Sequence, residues 1–302
     1  MSRPGGYTMR CDTPSPLRSL VRPLSTAVLL SAVFLPLRAA AQVALPSQAP
    51  AVLSVFCESL RPGTAPDYDS HNVGWSRQLE QIKDAPPQIA LRRMTGPQEV
   101  CYLSGQGSFA AGDTTEKIIM GDAAYTRALP NLERKNTAYV SGTRAMYGMY
   151  RGDLAAGNYP DLMKRRVYMW TEFRVRPGAE EAFDNGAKTY RALFARKQLP
   201  AEWRVYQVVA GAQGATYWVF ESFPDLSGMD KGMADGMKAT EGLTEAERSA
   251  FKTFNEALTF VRTDMWRVSS GLTVMNAAVR GDDPFWKRPA LAPRVAAKPK
   301  TP

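Results

Sequence analysis

Arg166-Val-Tyr-Met-Trp-Thr-Glu-Phe-Arg-Val-Arg-Pro-Gly178 decides the fold. From Val167 to Val175 the residues are mostly β-branched and aromatic, and they read as a strand. Pro177-Gly178 ends it. A helix-like segment follows from Ala179 to Leu199, then two further strand-like runs, Trp203 to Val209 and Thr216 to Phe223. Working outward, the same order recurs about 115 residues earlier, around Arg61-Pro62-Gly63. There a strand spans Ala51 to Leu60, a helix begins at Pro66-Asp67, and strands span Gln88 to Met94 and Glu99 to Ser104. The helix stripes Tyr68, His71, Trp75, Leu79 and Phe183, Gly186, Tyr190, Phe194 coincide position by position.

Each copy continues with helical sequence and a closing strand. In the first copy these are 110–135 and Thr137 to Tyr147. In the second they are Leu226 to Arg262, with a break at Glu241-Gly242-Leu243, and Met265 to Met275. The order is β-α-β-β-α-β twice, which predicts an α+β protein of two antiparallel sheets, each with its helices on one face. The uncovered sheet faces must be buried, and two copies in one chain can bury each other. The expected division is residues 1–41 as a signal peptide, 42–151 and 160–278 as the two units, and 279–302 as a disordered Pro- and Lys-rich tail.

The N-terminal reading rests on Arg3, Arg10, Arg18 and Arg22 before an apolar run from Leu24 to Leu37, then Ala39-Ala40-Ala41 as a cleavage site. That implies a periplasmic or secreted protein with no stable membrane insertion after cleavage. Removing 1–41 takes away five arginines and Asp12, and lowers the net charge from +9 to +5. No basic stripe accompanies that charge, so a nucleic-acid partner is not expected. Homo-oligomerisation is left open.

Leu60-Arg-Pro-Gly63, Val175-Arg-Pro-Gly178, Ser108-Phe109 and Glu221-Ser-Phe223, with aromatics down each first helix, resemble the dimeric α/β-barrel superfamily. The chain resembles members such as the antibiotic-biosynthesis monooxygenase-like and NIPSNAP-like proteins. The resemblance implies two tandem ferredoxin-like units, their antiparallel sheets packed face to face as a pseudo-dimeric barrel. The superfamily holds cofactor-free oxygenases, haem enzymes and proteins of no known activity, so it does not set the function.

On the strand 167–175, Tyr168, Trp170, Glu172 and Arg174 share one face. This set is expected to line the space between the sheets, joined by Tyr206 or Gln207, Trp218 or Glu221, and Trp266 or Arg267. Aromatic walls with a few polar groups suit a small apolar or aromatic ligand, and Tyr168, Trp170, Glu172, Arg174, Tyr206 and Trp218 are its expected contacts. Glu172 and Glu221 are the candidate general bases if the chain is an enzyme, cofactor-independent and monooxygenase- or isomerase-like. A structural or protein-binding module is the third reading. No cofactor is expected. His71 is the lone histidine, which excludes a multi-imidazole metal site. The Gly-Met repeat at 228–237 is read as packing, not a metal site. Cys57 and Cys101 fall on neighbouring strands, either bridged or as two separate thiols. Walker loops, dinucleotide fingerprints, Gly-x-Ser-x-Gly elbows and Cys-x-x-Cys pairs are absent.

Overall fold

The computed structural model describes residues 45–287. The first half comprises β1 (Val52–Leu60), α1 (Ala65–Gln81), β2 (Ile89–Arg93), β3 (Glu99–Gln106), α2 (Phe109–Gly121), α3 (Ala123–Asn136) and β4 (Val140–Tyr150). The second comprises β5 (Val167–Val175), α4 (Glu180–Arg196), β6 (Trp203–Ala210), β7 (Ala215–Phe223), α5 (Leu226–Ala239), α6 (Glu245–Ala257) and β8 (Leu258–Val268). Displacing β1 and α1 by 115 residues reproduces the bounds of β5 and α4. Both Arg-Pro-Gly turns place their glycine at positive φ, +81° at Gly63 and +82° at Gly178, where a Cβ would be strained.

Eight strands close into one antiparallel barrel in the order β1-β3-β2-β8-β5-β7-β6-β4. Each half is a four-stranded sheet, and the halves meet at two seams. Leu91 to Arg93 of β2 pair with Val268 to Trp266 of β8. Tyr147 to Tyr150 of β4 pair with Ala210 to Tyr206 of β6 across a bulge. The sheets therefore join edge to edge through backbone hydrogen bonds as well as facing each other, and closure leaves no strand edge unpaired. The helices lie outside. Buried side chains fall into three clusters: the barrel interior, and one layer between helices and sheet in each half. None of the helices among the described residues is long and apolar enough to cross a membrane.

Several element bounds differ from the sequence expectation, and β4 lies three residues later, at Val140–Tyr150 against Thr137 to Tyr147. The last strand is Leu258–Val268, not Met265–Met275, and the preceding helix stops at Ala257, not near Arg262. Leu258 to Arg267 pair along the whole of β5, from Val175 to Val167, and that long ladder outweighs the local helical pattern. Leu272, Val274 and Met275 are apolar because they are buried beyond the strand end, where Val274 bridges Gln88. The expected disordered tail from 279 also begins too early. Residues 284–286 form a turn of 3₁₀-helix, and Trp286 is buried in the barrel cluster with its indole donating to the Met163 carbonyl at 3.0 Å. The signal-peptide expectation (1–41) and the tail beyond 287 lie outside the described residues.

Candidate functional site

Strand alternation sends Tyr168, Trp170 and Glu172 of β5, Tyr206 of β6 and Trp218 of β7 into the barrel. The expected alternatives are thereby decided. Trp218 and Trp266 point inward with Tyr206, whereas Glu221 differs from Trp218 by an odd number of residues and faces outward beneath the helices. At the centre, the Trp170 ring lies 5.5 Å from Trp218, 5.3 Å from Trp266 and 4.9 Å from Phe220, between centroids. Trp218 is 0% exposed. These rings fill the middle of the space that was expected to take a ligand. What remains at one mouth is a cavity of about 80 Å³ walled by Tyr168, Tyr206 and Phe220.

The other mouth is ionic. Glu172 pairs with Arg174 at 2.8 Å. Glu99 takes Arg93 at 2.6 Å and Arg144 at 3.1 Å. Cys57 stands opposite Cys101 in the β1–β3 register, and their sulfurs are bonded at 2.04 Å in the barrel interior. His71 sits at the seam of α1 and α3, its Nε2 3.0 Å from the Leu132 carbonyl. Met229 is buried while Met233 and Met237 are exposed, so the Gly-Met thioethers do not converge.

A cavity of about 390 Å³ lies between α4, α6 and the outer face of β5–β7. Its walls are Phe173, Phe183, Tyr190, Phe251 and Phe254. Glu221 opens into it. No hydrogen bond or ion pair engages the Glu221 carboxylate among the described residues, and burial pushes its carboxyl up to about 7. Burial, with Glu221 nearby, raises the Tyr190 phenol to about 12. Thr171, Thr240 and Asn255 supply the remaining polar atoms. An aromatic chamber with one desolvated, unpaired carboxylate can hold a flat apolar molecule and accept a proton from it.

A second outer cavity, about 230 Å³, lies between α1, α3 and the β1–β3 face in the first half. Its buried carboxylate, Glu58, was missed in the sequence. The available signal was a lone acid on the helix-facing side of β1, where the second half has Phe173.

A closed eight-stranded barrel assembled from two β-α-β-β-α-β halves is a dimeric α/β barrel in a single chain. No family model and no curated protein matches the sequence. Among solved structures, the chain is similar to an anthrone oxidase-like protein at 12% identity and a TM-score of 0.49, covering 74% of this chain and 94% of that one. It is also similar to a candidate monooxygenase from Fusobacterium nucleatum (12%, TM-score 0.47, covering 76% and 95%). A chlorite dismutase variant from Candidatus Nitrospira defluvii aligns at 9% identity and a TM-score of 0.44, covering 73% and 92%.

Proposed function

We propose that this protein binds a small aromatic molecule in the chamber between α4, α6 and the sheet, with Glu221 accepting an acidic proton from it. The observation that carries this reading is a carboxylate without a partner facing a 390 Å³ aromatic-walled cavity. A chamber of that volume, apolar with few polar groups, suits a small ligand. Removing a proton from a phenol or an enolisable ketone is the first step of isomerase chemistry and of cofactor-independent oxygenation, the enzymatic reading of the family resemblance. A ligand at the barrel mouth, against Tyr168 and Tyr206, is the second reading, favoured by the 80 Å³ left open there. Export to an oxidising compartment belongs to the same proposal. It rests on the residue pattern of 1–41, and the Cys57–Cys101 bond supports it.

The test is calorimetric titration with 2-naphthol. Saturable binding is expected, weakened roughly tenfold or more by Ala187→Leu, which fills the chamber from α4. Binding should tighten as pH rises through about 7, and Glu221→Gln should abolish that dependence. Absence of binding, or binding indifferent to Ala187→Leu, would overturn the proposal.

A further inference from the structure

The two outer cavities share one scaffold but not one chemistry. With the 115-residue displacement, Glu58, Tyr68 and Asn72 of the first half occupy the positions of Phe173, Phe183 and Ala187 in the second. The second half packs these positions with hydrocarbon, so the fold itself does not require a carboxylate, a phenol and an amide there. A carboxylate withdrawn from water without a cation is costly. A reason for Glu58 must therefore lie in what it faces.

Glu58 is buried and lines the first-half cavity. Its two oxygens are held in place by neutral donors only. Tyr68 Oη donates to Oε2 at 2.5 Å, and Asn136 Nδ2 donates to Oε1 at 2.5 Å. Tyr102 Oη stands 2.8 Å from Tyr68 Oη and extends the chain of hydrogen bonds toward the cavity. Of the cations nearby, Lys135 is exposed to solvent beside Asn136 on α3. Arg92 pairs with Asp69, and His71 is bound to the Leu132 carbonyl with burial lowering its pKa. Burial likewise raises the Glu58 carboxyl, the mark of a charge with no counter-ion.

An independent observation lies on the cavity floor. Ser104, 9% exposed, has a hydroxyl with no hydrogen-bond partner, and it faces this cavity. Buried hydroxyls in folded proteins are almost always paired, so this one marks the place of an absent polar partner. The walls between Ser104 and Glu58 are aromatic, with Phe56, Tyr102, Trp75 and Tyr125. Rings of this kind attract ammonium groups through their negative faces.

We propose that the first-half cavity is a second binding site, for a small organic ammonium ion whose charge is neutralised by Glu58 and whose polar end is met by Ser104. This site stands independently of the chamber at Glu221. Its polarity and charge make it selective for cations, where the other chamber takes neutral aromatics.

The probe is 4-methoxyphenethylammonium chloride, whose ether oxygen at the far end can accept from Ser104, titrated calorimetrically into the intact protein alongside 4-methoxyphenethyl alcohol as the uncharged counterpart. The ammonium should bind saturably and the alcohol at least tenfold more weakly. Glu58→Gln keeps the shape of the side chain and the bond from Asn136, and reverses the bond to Tyr68, whose hydroxyl then accepts from the new amide; it should cost the ammonium roughly tenfold or more, the scale of one charge-assisted contact. The alcohol should be unaffected by that change. Ser104→Leu leaves Glu58 intact, breaks no hydrogen bond and fills the cavity floor, so it should abolish binding without lowering Tm. Equal affinity for the two probes, or ammonium binding unchanged by Ser104→Leu, would overturn the site. Glu221→Gln should leave 4-methoxyphenethylammonium binding untouched, which separates this result from the fate of the other chamber.

Discussion

At Glu221 the chemistry of one side chain governs how the whole fold responds to pH. Its carboxyl is raised from the ordinary 4.5 to about 7 by desolvation, so the folded protein holds that proton more tightly than the unfolded chain does. The resulting stabilisation is complete below about pH 4.5 and is lost as pH rises through about 7. It amounts to something on the order of 1–3 kcal/mol. Urea denaturation should therefore show Glu221→Gln gaining on the wild type between pH 5 and pH 8, with the midpoint difference growing across that window. A difference that stays constant would mean the carboxylate is paired in solution. Strand alternation already placed Tyr168, Trp170 and Glu172 on one face, and that much of the interior was legible. Alternation could not choose between Trp218 and Glu221, because β7 carries large side chains on both faces and either face could be the buried one. Glu58 went unnoticed for a related reason. Its meaning appears only when α1 and α3 bring Tyr68 and Asn136 to it across 10 and 78 residues of chain.

Among the helix pairs, α4 and α6 are packed closest. A Cβ on Gly186 would come within 2.4 Å of the Phe254 ring, so that glycine is a contact surface and not a hinge. Gly186→Ala should destabilise the protein by about 1–3 kcal/mol through overpacking, measured by chemical denaturation. The same contact explains why His71 has no counterpart in α4: the second half brings its helices nearer than an imidazole permits. Where local signals and pairing agreed, as in β5, the element bounds could be read directly. Where they diverged, as at the α6–β8 junction, the long ladder with β5 decided the outcome, and no window of sequence contains that ladder. The Cys57–Cys101 bond ties β1 to β3 across 44 residues. Reduction should lower unfolding stability by roughly 2–4 kcal/mol, observable as a lower Tm in dithiothreitol. An unchanged Tm would show that the strand ladder alone holds this pair of strands.

For the whole molecule, closure depends on both halves. The fragment 160–287 would expose the β8 and β6 edges that normally meet β2 and β4. Expressed alone, it should run as a dimer or larger species in size-exclusion chromatography, since edges and bare sheet faces seek a partner. A stable monomer would contradict the barrel as the cooperative unit. Tandem linkage has a further consequence. When two identical subunits build such a barrel, every substitution appears twice, so both chambers must remain alike. One continuous polypeptide escapes that symmetry: residue 58 can become acidic while residue 173 stays a benzyl group. The departure of Glu58 from Phe173 is asymmetry that a homodimer has no means to encode.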